Sequence, residues 1–144
     1  MRYANVYGPR QNPKGEAGVI SVFINKILNK EQPVINGSGE QTRDYAYAGD
    51  VVNANILALK KDLKGIFNIG TGKETSVNEL FKKITKLTNS DVKEVHGPAL
   101  AGEQLRSCLS YEKIRIACNW NPRFELESGL KETIEWFRNE QKKA

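Results

Sequence analysis

Apolar residues recur at Ile20, Phe23, Ile24, Ile27 and Leu28, the spacing of one helix face, between a loop at Pro13 to Gly18 and a stop at Pro33. Ahead of them, Arg2-Tyr-Ala-Asn-Val-Tyr7 is rich in strand formers and is stopped by Gly8-Pro9, so it predicts a strand. Val34-Ile35 and Tyr45-Ala46-Tyr47 flank Gly37-Ser38-Gly39 and predict two short strands around a loop. From Asp50 onward, Val51, Val52, Ile56, Leu57 and Leu59 point to more than one side, which predicts a helix buried on two faces. Ile66-Phe67-Asn68-Ile69 is a short apolar strand ending at Gly70-Thr71-Gly72. Ser76 and Glu79 then form an S-x-x-E capping box before the helical series Val77, Leu80, Phe81, Ile84 and Leu87.

Val92 to Val95 predicts one more strand, followed by an irregular link from Gly97 to Gly102. Two closing helices carry Tyr111, Ile114, Ala117 and Trp120, and then Leu130, Ile134 and Phe137. Alternating strands and helices define an α/β fold, with the opening strand left without a visible partner.

A length of 144 residues allows one domain, 1–144. With 39% hydrophobic and 27% charged residues, the chain can build a core and is no polyelectrolyte, and no apolar run reaches the length of a bilayer span. The polar start lacks a signal-peptide core, so a cytoplasmic protein without membrane partners is expected. The net charge of +5 sits largely in runs such as Lys60-Lys61 and Lys82-Lys83 without interleaved aromatics. Such runs are solvated helix faces, which argues against nucleic acid while leaving an anionic small ligand open. Cys108, Cys118 and the single His96 are too few for a zinc site, and both thiols are read as reduced core residues.

Catalytic motifs are missing from the sequence. It has no G-x-S-x-G, H-E-x-x-H or Walker lysine, and His96 beside Gly97-Pro98 reads as a loop residue. Phe67-Asn-Ile-Gly-Thr-Gly72 lacks the third glycine of a dinucleotide fingerprint and reads as a turn between strand and helix. Arg43, leaving a glycine-rich turn, suits either a bidentate grip on a diphosphate or an ion pair with Asp44 or Glu40. Asn5 suits either a ligand hydrogen bond or a turn contact.

Residues 2–11, 37–51, 67–80 and 102–138 resemble, in order, the C-terminal part of extended short-chain dehydrogenases. The likeness is to the NAD-dependent epimerase/dehydratase family acting on nucleotide sugars, of the UDP-glucose 4-epimerase kind. It implies a small substrate-binding lobe of a Rossmann-type enzyme, with residues 1–11 the end of the dinucleotide lobe. That family holds NAD through a glycine-rich fingerprint and uses a Tyr-x-x-x-Lys pair. Neither motif occurs here, since Tyr3, Tyr7, Tyr45, Tyr47 and Tyr111 all lack Lys four residues later.

The resemblance therefore implies a chain that does not hold NAD by itself, is inactive without its Rossmann lobe, and has that lobe and a UDP-sugar as partners. By the same likeness, Tyr3 falls beside the nicotinamide, Asn5 and Arg43 at the diphosphate, Val19 at the uridine side, Val34, Ile35 and Asn36 along the base, and Glu103 near the ribose. Leu100 stands where a second phosphate-binding arginine is usual, with Arg106 nearby, and Ser110 replaces a frequent aspartate. The competing reading is a free-standing, non-catalytic nucleotide-binding or interaction module.

Overall fold

The opening strand is broken at Ala4, and each half finds a different partner. In the computed structural model, which describes residues 1–14 and 18–143, β1 (Arg2–Tyr3) and β2 (Asn5–Tyr7) lead through a loop to α1 (Val19–Leu28). The loop expected from Pro13 to Gly18 lies partly outside the described residues. Then follow β3 (Ile35–Asn36), β4 (Thr42–Arg43), β5 (Tyr45–Tyr47), α2 (Ala48–Lys60), β6 (Asn68–Ile69), β7 (Thr75–Ser76) and α3 (Val77–Thr88). The chain continues through β8 (His96–Gly97), β9 (Arg106–Ser107), α4 (Glu112–Cys118) and α5 (Leu126–Gln141). The α/β class is as the alternation of patterns predicts.

Strand pairing departs from the sequence expectation in instructive ways. β1 runs parallel to β6 and β2 parallel to β5, so the first strand is not an orphan. Its partners lie some 40 to 65 residues downstream, beyond the reach of local pattern. The strand near Ile35 does not pair with the Tyr45 stretch. It pairs in parallel with His96, and Val95 contributes only its carbonyl, which accepts from Ile35 N at 2.9 Å. The strand expected at Val92 to Val95 is thus displaced to β8, because Val92 packs against the core instead of continuing a ladder. β4 sits between antiparallel β7 and parallel β9.

The larger core is made by the apolar faces of three helices. Ile20, Phe23, Ile24 and Ile27 of α1 meet Leu80, Phe81 and Ile84 of α3 and Leu130, Ile134 and Phe137 of α5. Phe23 and Phe81 meet edge to face at 5.7 Å. Gly129 lets α5 approach the ring of Tyr7, since a Cβ there would run into the phenol. Half of the capping box forms: Ser76 Oγ accepts from Glu79 N at 3.1 Å, while the Glu79 carboxylate turns outward to Lys83.

A smaller cluster gathers Ala54, Phe67, Ile69, Ile114 and Trp120 between α2, β6 and α4. Here the expectation of a helix buried on two faces fails. Ala54 is sealed, but Val52, Ile56 and Leu59 are 57%, 46% and 85% exposed. Positions 52, 56 and 59 share one helical stripe, so α2 presents a continuous apolar face outward. The thiols also differ from expectation: Cys108 is exposed and only Cys118 is partly buried, both free.

Candidate functional site

A cleft of about 360 Å³ opens where β2, the start of α1, β3, β4, β5 and the segment around Leu100 to Glu103 converge. Asn5, Val19, Val34, Asn36, Arg43 and Glu103, separated by as many as 98 positions in sequence, all line it. Two candidates do not. Ile35 is wholly buried in the larger core, because alternation along a strand sends Val34 and Asn36 to one face and Ile35 to the other. Tyr3 lies apart on the α2 side, 46% exposed, its phenol donating to Asn55 Oδ1 at 3.0 Å.

The same alternation organises the cleft wall. Arg43 and Tyr45 share one face, and Asp44 points the opposite way. Arg43 is drawn toward neither Asp44 nor Glu40. Its Nη2 lies 3.5 Å from Glu103 Oε1 and its Nη1 donates to the carbonyl of Thr42 at 2.8 Å. The buried Tyr45 hydroxyl has no partner among the described residues, and burial pushes its phenol up to about 12, so it remains a neutral donor. Gln11 donates its Nε2 to Val6 O at 3.2 Å, which leaves its buried Oε1 free at the cleft. Buried polar groups normally find partners, so these atoms mark places for ligand atoms or water. Nothing in the sequence pattern singled out Tyr45 or Gln11. The signal available was strand alternation from Arg43, which puts position 45 beside it.

Asp44 explains the glycine turn. Its buried carboxylate accepts from Thr71 N at 2.9 Å, Thr71 Oγ1 at 2.6 Å, Gly72 N at 3.2 Å and Leu109 N at 3.3 Å. The turn does cradle an anion, and that anion is the chain's own side chain. Gly70 is required at this point, since a Cβ would collide with the same carboxylate. The amides of Thr71 and Gly72 are thereby committed, and the turn does not offer them to a dinucleotide phosphate.

The neighbouring charges are structural. Arg106 pairs with Glu74 through its Nε at 2.7 Å, on the far strand of the β7–β4–β9 sheet and not lining the cleft. That guanidinium and the Thr42 hydroxyl hold the Glu74 carboxyl down to about 2. His96 contacts Gly37 O at 2.8 Å and Glu94 at 3.0 Å, and those contacts raise its pKa. Leu100 lines the cleft and is 57% exposed. Among the described residues no group of His, Cys, Asp and Glu could hold a metal, and no helix is long and apolar enough to cross a membrane.

The NAD dependent epimerase/dehydratase family profile matches residues 1–70. A putative UDP-glucose 4-epimerase of Methanocaldococcus jannaschii is 47% identical over 96% of this chain and 45% of its own length. The structure of UDP-glucose 4-epimerase from Thermotoga maritima with UDP-glucose superposes with a TM-score of 0.92 at 48% identity, covering 97% of this chain and 45% of that one. The Thermus thermophilus UDP-glucose 4-epimerase complex with NAD gives 0.87 at 36% identity, covering 95% of this chain and 45% of that one. The fold is thus that of a part of a Rossmann-type α/β enzyme. Over residues 1–70 the chain is similar to the NAD-dependent epimerase/dehydratase family, one of whose solved relatives is a complex with NAD, and it spans a little under half the length of the relatives it matches.

Proposed function

We propose that this chain is the nucleotide-sugar-binding lobe of a UDP-glucose 4-epimerase-like enzyme, and that it works only with a Rossmann lobe docked against it. The observation that carries this reading is the convergence of Asn5, Val19, Val34, Asn36, Arg43 and Glu103 on one cleft. The Arg43 guanidinium offers a planar fork to a diphosphate. Asn5, at the start of β2, adds an amide donor. Val19 and Val34 supply apolar surface for a base, and the Glu103 carboxylate accepts from ribose hydroxyls.

The chemistry of the family, oxidation of the sugar at C4 and return of the hydride, needs NAD and an acid–base pair. The described residues do not fit NAD, because the glycine turn's amides are taken by Asp44 and Tyr3 lies outside the cleft. This chain's share is to bind and orient the sugar nucleotide, which converts a bimolecular encounter into a positioned one. The outward stripe of Val52, Ile56 and Leu59 beside β1 supports the docking of a second lobe. β1 is paired on one edge only, and parallel strands are ordinarily covered on both faces.

Mixing this chain with the remaining part of the Thermotoga maritima relative tests the proposal. Interconversion of UDP-glucose and UDP-galactose is expected from the mixture and from neither part alone. Turnover by this chain alone, or a stable complex without turnover, would overturn it.

A further inference from the structure

Arg43 and Glu103 are the only charged side chains that the described residues bring to the cleft, and they face each other. Glu103 is held in that position. Buried Gln41 points its Nε2 at both Glu103 oxygens, at 3.3 and 3.2 Å, and at the carbonyl of Asn36 at 3.0 Å. An amide anchored on the β3 backbone therefore steers the carboxylate onto the guanidinium. The side chains of Arg43 and Glu103 are 16% and 25% exposed, so solvent screens this pair only in part. The cleft contains a cation whose charge is already answered.

We propose that Gln41 and Glu103 make the cleft select nucleoside diphosphates against free inorganic anions. This rests on the nucleotide-binding reading above and adds to it a reason for discrimination. A bare phosphate or pyrophosphate approaching Arg43 must either lie against a carboxylate or displace it from its cation, and both cost free energy. A nucleoside diphosphate carries vicinal hydroxyls a few bonds from its phosphates. Those hydroxyls give the Glu103 carboxylate new donors as Arg43 takes the diphosphate, so the displaced group does not go unpaired. Gln41 is a positioning residue in this scheme, because it acts through Glu103.

Calorimetric titration of the full chain with sodium pyrophosphate and with UDP, each binding site checked by amide chemical shifts, tests the proposal. In Glu103→Gln, pyrophosphate should bind about tenfold more tightly than in the parent, equivalent to ~1.4 kcal/mol, while UDP gains nothing. Gln41→Leu, which removes the steering amide, should move pyrophosphate in the same direction by a smaller factor. Arg43→Ala should abolish both gains. Unchanged pyrophosphate affinity in a folded Glu103→Gln chain, or an equal gain for UDP, overturns the proposal. Failure of the parent to bind UDP in the cleft would instead contradict the nucleotide-binding reading, and the pyrophosphate comparison would still report on the screen.

Discussion

The larger core is closed by its own chain: α1, α3 and α5 turn apolar faces inward, α3 and α5 carry charged residues on their outer faces, and no residue of α1 is left exposed. The smaller cluster under α2 is open: Ala54 and Trp120 are sealed, yet Val52, Ile56, Leu59 and Ile66 stand in solvent around it. Composition accounts for part of the difference, since α1 carries Phe23 and three isoleucines while α2 carries three alanines and no aromatic residue, yet α2 still leaves valine, isoleucine and leucine uncovered. Contiguous uncovered apolar faces are where protein–protein contacts form, and this one is the face proposed above for docking. The ligand cleft lies against the closed side, where Tyr7, Ile20, Phe23 and Tyr45 belong to both the core and the cleft wall. The candidate cleft thus lies on the closed part of the molecule, and the proposed docking face on the open part.

Loss of the buried Asp44 carboxylate should have the largest effect. Asp44→Ala removes the buried carboxylate that pairs the donors of half-buried Thr71 and Leu109 and of Gly72, and should lower stability by about 4 kcal/mol in urea denaturation. The closed core comes next. Leu80→Ala should cost about 3 kcal/mol by the same measurement. Leu59→Lys, on the open face, should change stability by less than about 0.5 kcal/mol and reduce self-association in light scattering. Equal costs at Leu80 and Leu59 would erase the contrast between the regions.

In the cleft, Leu100→Arg adds a guanidinium near Arg43 and should tighten UDP binding by about tenfold, or ~1.4 kcal/mol, in calorimetry. Unchanged affinity would mean that Leu100 is only a loop residue. A small pH effect is expected at Glu74, whose carboxyl the Arg106 guanidinium and Thr42 hydroxyl lower from 4.5 to about 2. The depressed value means that the folded state is favoured by this group above about pH 4.5, and that the advantage is lost as pH falls toward 2. Glu74→Gln should flatten that part of the acid-unfolding profile.

Much of this was legible in the sequence. Helical spacing gave α1, and Ser76 located the start of α3, because both signals lie within a few neighbouring residues. Arg43 stood out beside its glycine turn. What local pattern could not reveal was pairing across the chain: β1 with β6, β3 with β8, and Arg43 with Glu103 some 60 residues away. Nor could it separate a covered apolar face from an open one, since α2 reads as buried whichever surface covers it. Asp44 was invisible for the opposite reason. Beside Arg43 it looks like half of an ion pair, and only strand alternation, once the register is known, sends it to the glycine turn.

On the proposed reading the cleft, and not the open α2 face, receives the nucleotide. The direct measurement is a titration of the folded chain with UDP into the millimolar range, followed by backbone amide shifts in the parent and in Arg43→Ala. Shifts are expected at Asn5, Val19, Asn36, Arg43 and Glu103 in the parent, and their loss in Arg43→Ala. Shifts confined to β1 and α2, or a response that survives Arg43→Ala unchanged, would contradict that reading.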